Sequence, residues 1–351
     1  MHRYILGCFG IHNKISQDIV DDQKDSEPKT LVNNFTPPSD GSKLGETNKK
    51  GRDLVRACKN GNFNQVQILI QESPESLHFI GMWGNSPLIY ACQYNHTNIA
   101  LLLIDNGAPV GIRNEENCTA MLHVCLHGNI VLAAKMIRLN TFWECGLVYN
   151  SETDEKTNLS PLNAACTNGH ASVVDLLFGS DLNLNELDII ASVCSAVIHG
   201  KSDALSVIMK SKPDIVPYTL AQNGHLLIMT CYSKHWDLVK ILLGIQNIQT
   251  SYCSCLDKNA SVHSSPLSLV CAADQVLMAQ LLLDKGADAS YSCGKCSPPL
   301  MDACRSQSIE CSRLLIQFGA KIDFLDPLSG MTPLEFAQNL NLSELVSILN
   351  V

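Results

Sequence analysis

The chain has 351 residues, a net charge of −9 and only 17% charged residues, so no global basic field is available to attract nucleic acid. Its longest uninterrupted apolar run, Ile99 to Ile104, is six residues, far short of a membrane span. Sixteen cysteines in a chain of this length are too sparse for a disulfide-dense mini-domain.

In chain order, residues 1–47 differ from the rest. After a short apolar start at Tyr4 to Ile11, with no small-residue cleavage site behind it, they run through Asp21-Asp22-Gln23-Lys24-Asp25 and Thr36-Pro37-Pro38-Ser39-Asp40-Gly41. This stretch is too polar and too broken to bury a core and is predicted to be a disordered lead. Residues 48–351 are predicted to form one repeat domain. Nine units align by their first-helix starts at 52, 86, 119, 160, 191, 225, 265, 298 and 332, a recurrence of about 34 residues. Two longer spacings place insertions near 141–157 and 245–262, expected as loops on the outside of the stack.

Each unit carries the same physical signals. Ser or Thr stands at the N-cap of a first helix and Pro at its first helical position, where a missing N–H costs nothing. A second helix follows with apolar residues at helical spacing, such as Val173, Val174, Leu176 and Leu177. It closes on Gly-Ala, as at Gly107-Ala108, Gly286-Ala287 and Gly319-Ala320. One such hairpin cannot bury its apolar face alone, so neighbours must stack.

Ser86-Pro87-Leu88 with Ala91-Cys92, Ser160-Pro161-Leu162 with Ala165-Cys166-Thr-Asn-Gly169-His170, and Thr332-Pro333-Leu334 with Ala337 carry the resemblance. They resemble the ankyrin repeat, whose signature is a period of about 33 around Thr-Pro-Leu-His-x-Ala. The resemblance covers roughly 300 residues. It implies an all-α solenoid of stacked helix-turn-helix units with short hairpin loops, and a protein partner held on a concave face of hairpin tips and first helices. The family's histidine after Pro-Leu is replaced in these units, for example by Ile89, Asn163 and Glu335. The units at 191 and 225 lack Pro-Leu and are expected to be the least stable section, with the fastest amide exchange.

The seventh position of the unit is cysteine in seven of the nine repeats: Cys58, Cys92, Cys125, Cys166, Cys231, Cys271 and Cys304. Small residues face the neighbouring repeat there, so these thiols are expected to be reduced and inert, as in an intracellular protein. A cytoplasmic location is expected, with the nucleus left open. The Ala-Cys variant resembles ankyrin proteins bearing a C-terminal box that recruits a ubiquitin ligase, and no such box is read before Val351.

Register maps the expected partner contacts. They are Met82, Trp83 and Asn85 at one tip, Gln93 and Tyr94 on the helix after it, and His127, Asn168, His199, Tyr232 and Arg305 at equivalent helix positions. Exposed aromatic side chains there suit a binding hot spot. Trp143 falls in the first insertion and Trp236 opens a second helix. A lower-ranked reading gathers Cys253, Cys255, His263, Cys293 and Cys296, from consecutive inter-repeat segments, around one zinc ion, against incidental thiols on solvent-facing loops.

No Gly-x-Ser-x-Gly elbow, phosphate-cradling loop or His-Glu-x-x-His motif is present. The sequence therefore reads as a non-catalytic adaptor, monomeric by itself and without cofactor, that binds other proteins and neither nucleic acid nor membrane. The alternatives are a substrate receptor of ubiquitin-ligase machinery and a metal- or redox-responsive thiol protein.

Overall fold

The computed structural model describes residues 41–350 except 140–145, 151–154, 181, 183, 223–224, 246–247, 249, 252–263 and 294. Trp143, Cys253, Cys255 and His263 lie outside the described residues. The described residues form two compact units, one holding 41–195 with Asp203–Ser211 and the other Ala196–Ser202 with 212–350.

In the first unit, four first helices pack side by side in chain order: Gly41–Lys59, Pro87–Gln93, Ala120–His127 and Pro161–Asn168. Their partners Phe63–Glu72, Thr97–Asp105, Ile130–Arg138 and Ala171–Phe178 form a second layer stacked the same way. The other unit repeats this plan. Its first helices are His225–Tyr232, Pro266–Ala272, Pro299–Arg305 and Pro333–Asn339. Its second helices are Trp236–Leu243, Val276–Asp284, Ile309–Gln317 and Ser343–Leu349.

Local chemistry explains where these helices begin. Ser86, Thr119, Ser160, Ser265 and Thr332 each accept a hydrogen bond on the side-chain oxygen from the backbone N–H three residues on. Thr332 and Glu335 complete a reciprocal capping box. Where Pro298 takes the cap position, no side-chain acceptor is present. The core follows from the helical period: Leu88, Leu103, Leu122, Leu132, Leu162 and Leu177 in the first unit are all 2% exposed or less. Burial of one such side chain stabilises by about 1.5–3 kcal/mol.

Three departures from the sequence reading have physical causes. The first helix reaches back to Gly41, into the segment read as disordered through residue 47. A helix nucleated by the apolar residues after Gly51 extends at little cost into polar sequence. The first insertion, read as a loop, contains an antiparallel pair, Gly146–Asn150 with Glu155–Leu159, in which Val148 faces Thr157 in register. Leu147-Val148-Tyr149 is strand-forming sequence. Finally, the stretch before 225 carries its own helix, Ile215–Gln222, and the preceding one, Glu186–Ile198, is 13 residues long. Neither opens with the Ser/Thr-Pro cap found at Ser86, Ser160, Ser265 and Thr332.

Candidate protein-interaction site

The tip before Pro87–Gln93 is built to display side chains. Met82–Gly84 forms a short 3-10 turn in which Trp83 and Gly84 both take left-handed conformations, with φ of 61° and 73°. Such a two-residue turn usually selects Asn or Gly. For a bulky aromatic residue this conformation is costly. The Trp83 carbonyl is held by the Glu115 N–H at 2.9 Å, and the Met82 carbonyl accepts from the Tyr90 hydroxyl at 3.4 Å. The backbone is thus fixed by its neighbours while Met82 and Trp83 stand 74% and 65% exposed.

Asn85, expected as a contact residue, is buried instead. Its Oδ1 accepts from Asn114 Nδ2 at 2.8 Å, joining this tip to the next. Gly84 permits that approach: a Cβ there would lie 3.0 Å from the Glu115 nitrogen. Gln93 and Tyr94 are exposed. The Tyr94 ring stacks with His96 at 6.4 Å between centroids, and Lys59 Nζ lies 5.7 Å from its centre. The tyrosine is therefore oriented by its neighbours yet open on one side.

His127 and Asn168 are exposed, but both make hydrogen bonds, the first to the preceding repeat and the second within its own helix. His127 Nε2 lies 2.9 Å from the Gln93 carbonyl, and Asn168 Nδ2 donates to the Ala164 carbonyl at 3.0 Å. In the other unit His199 and Tyr232 are exposed. Arg305 corrects the expectation of a free contact residue. Its guanidinium donates to Asp302 Oδ1 at 2.9 Å, to Ser297 Oγ at 2.6 Å and to Asp326 Oδ2. Asp326 has a fully buried side chain that also accepts from Ser297 Oγ and from the N–H and hydroxyl of Ser329. A buried carboxylate needs such partners, which is why this arginine turns inward. Desolvation raises the Asp302 carboxyl to about 6 despite Arg305 beside it, whereas hydrogen bonds from Ser297 and Ser329 and the Arg305 charge hold Asp326 below its ordinary value against burial.

All seven register cysteines are buried. Burial pushes Cys58, Cys166 and Cys231 up to about 12 and Cys304 to about 11, and it also raises Cys92 and Cys125. Cys271 is raised by its hydrogen bond to Cys311 and by burial. Cys293 and Cys296 have their sulfurs 3.2 Å apart. Among the described residues, no cluster of three potential ligands could hold a metal ion. None of the described helices is long and apolar enough to cross a membrane.

A stack of capped helix hairpins with projecting tips defines a repeat protein of the helix-turn-helix class. A family model described as ankyrin repeats, in three copies, matches residues 54–141. The ankyrin repeat domain of Bcl-3, a crystal structure, aligns with a TM-score of 0.51 at 20% identity, covering 68% of this chain and all of that one. Residues 54–141 thus carry ankyrin repeats, and the chain shares the fold of an ankyrin repeat domain. Curated relatives include the E3 ubiquitin-protein ligase XBAT33 of Arabidopsis thaliana, 27% identical over 203 residues, which are 56% of this chain and 36% of that protein. The probable E3 ubiquitin-protein ligase XBOS33 of Oryza sativa subsp. japonica is 29% identical over 138 residues, 39% of this chain and 25% of its own. The ankyrin repeat protein nuc-2 of Neurospora crassa is 25% identical over 201 residues, 57% of this chain and 18% of its own. The chain thus spans about a third or less of the length of these relatives.

Of the expected contact residues, Met82, Trp83, Gln93 and Tyr94 are accessible and belong to one repeat. The burial of Asn85 and the pairing of Arg305 had weak sequence signals: Asn114 and Asp326 sit at tip positions where a turn-closing acceptor is needed.

Proposed function

We propose that this chain is a non-catalytic protein-binding scaffold whose contact site in the first unit centres on Met82, Trp83, Gln93 and Tyr94. Trp83 carries the reading. An indole left 65% exposed on a backbone held in an unfavourable conformation gains little from burial in the free chain, whereas a partner that covers it gains a large apolar contact. His127, Asn168, His199 and Tyr232 remain candidates for secondary contacts. The experiment is an affinity purification from a cell extract with the intact chain and with a Trp83→Ala/Tyr94→Ala variant, folding being checked by circular dichroism. A partner held by the first and lost by the folded second supports the reading. Equal retention by both removes the site.

A second reading has this chain presenting substrates to ubiquitin-ligase machinery, favoured by the names of XBAT33 and XBOS33. Co-purification of ubiquitin-ligase subunits with the intact chain would support it, and a bound partner that is never ubiquitinated alongside them would count against it.

A further inference from the structure

The hairpin tips close by one recurring device. Before Ala120–His127, Asn114 Oδ1 accepts from the N–H groups of Glu116 at 3.0 Å and Cys118 at 2.7 Å. Before Pro333–Asn339, Asp326 accepts from the Ser329 N–H at 2.7 Å. The tip before Pro299–Arg305 has neither an amide nor a carboxylate at that place. Cys293 stands as far ahead of Pro298 as Asn114 does ahead of Thr119. Its sulfur lies 3.2 Å from Cys296 Sγ, and its N–H donates to Cys296 Sγ at 3.4 Å. This tip is closed by a pair of thiols, with the sense of the backbone bond reversed: the first residue donates its N–H and the later sulfur accepts.

The two thiols differ in access. Cys293 is half-buried, whereas Cys296 is 1% exposed. The register cysteines and Cys311 are buried, so oxidants do not reach them in the native state. We propose that Cys293 and Cys296 form a reversible disulfide that locks this tip, with hydrogen peroxide as the oxidant. Cys293 sulfur attacks one peroxide oxygen, the O–O bond breaks, and a sulfenic acid and one water result. Cys296 sulfur then attacks Cys293 sulfur, the S–S bond forms, the S–O bond breaks, and the second water leaves with the thiol proton. Two thiols thereby supply the two electrons that reduce one peroxide, and an external dithiol reverses the step.

The lock would act on its neighbours. Ser292 Oγ donates to the Cys296 carbonyl at 2.7 Å, and Ser297, next in the chain, links Arg305 to Asp326 in the following tip. Closing the Cys293–Cys296 tip therefore stiffens the anchor of the Asp326 loop, where Leu325 and Leu328 are exposed. This inference is independent of the Trp83 site.

The test uses the full reduced chain, exposed to hydrogen peroxide under native conditions, quenched with an alkylating agent and mapped by mass spectrometry without reduction. The expected product is one peptide joining Cys293 to Cys296, lighter by two hydrogens and restored by dithiothreitol. A Cys293→Ser variant should leave Cys296 as a thiol in the same experiment. Irreversible over-oxidation of Cys293, pairing with any other cysteine, or no reaction of the pair in the wild-type chain overturns the proposal, whether or not the variant folds.

Discussion

The imidazole of His170 lies directly against Gly128 of the preceding repeat, with Nε2 3.0 Å from the Leu126 carbonyl. A Cβ on Gly128 would sit 2.3 Å from His170 Nδ1, and the glycine itself has φ +68°. The same arrangement places His96 on Gly61 and, in the other unit, His235 on Gly200. Each histidine opens a second helix, and each glycine ends the first helix of the repeat before it. For His170 and His96 the ring thereby partners a carbonyl at a helix end, that of Leu126 and of Lys59, which has no partner within its own helix. Gly128→Ala meets both a steric clash and left-handed strain, and is expected to cost about 2–4 kcal/mol in urea unfolding. His170→Ala should cost about 1–2 kcal/mol. Combined, the two should cost less than their sum, because the clash needs the ring. Full additivity would show that the ring and the glycine do not interact.

These contacts also mark what could be read from the chain alone. N-caps at Ser86, Ser160 and Thr332 were legible because the acceptor and its N–H are three residues apart, a local relationship that composition exposes. Gly169-His170 was legible as a turn, but the seat of His170 on Gly128 was not, since it joins residues of different repeats. Asn85 and Arg305 were misread for the same reason. Register alone marks them as outward, and only their partners, half-buried Asn114 and buried Asp326, turn them in. The strand pair at Gly146–Asn150 and Glu155–Leu159 lies in an insertion, where the repeat period carries no information.

Asp302 makes the stability of its unit depend on pH in an identifiable direction. Its carboxyl is raised from 3.8 to about 6, chiefly by desolvation. Between those values the native state retains a proton that the unfolded chain has released. Stability from this group is therefore full at low pH and falls as pH rises toward about 6. Asp326 has the opposite sign, since its carboxyl is held below the ordinary value and its contribution is lost on acidification. Asp302→Asn should remove the decline between the two pH values, an effect on the order of 3 kcal/mol in wild type. Urea titrations of both proteins across that range read it directly. Parallel curves for wild type and variant would assign the decline to other groups.

The cysteine register should be chemically silent in the native state. Cys58, Cys166 and Cys231 at about 12, with Cys92 and Cys125 also raised by burial, leave almost no thiolate near neutrality. Their alkylation is expected to wait on opening of the repeat that holds them, and so to accelerate with urea in step with unfolding. Labelling of Cys92 or Cys125 at the rate of an exposed thiol, with circular dichroism unchanged, would mean that the seams between repeats open far more readily than their packing implies.

Trp83 sets stability against binding at one position. Its φ of 61° costs the folded chain energy that glycine would not incur, while the larger backbone freedom of glycine in the unfolded chain costs about 0.5–1 kcal/mol. The left-handed penalty for a side chain is roughly 1–2 kcal/mol, so strain relief exceeds the entropy loss by a small margin. Trp83→Gly is therefore expected to leave thermal stability equal or slightly higher, because the Glu115 N–H to Trp83 carbonyl bond needs only backbone. Partner retention should fall nonetheless, since the exposed indole is gone. A residue kept in a costly conformation, whose removal relieves the fold and weakens binding, is there for the partner. Should Trp83→Gly destabilise the chain instead, the indole supports its own repeat and the contact site must be sought around Tyr94.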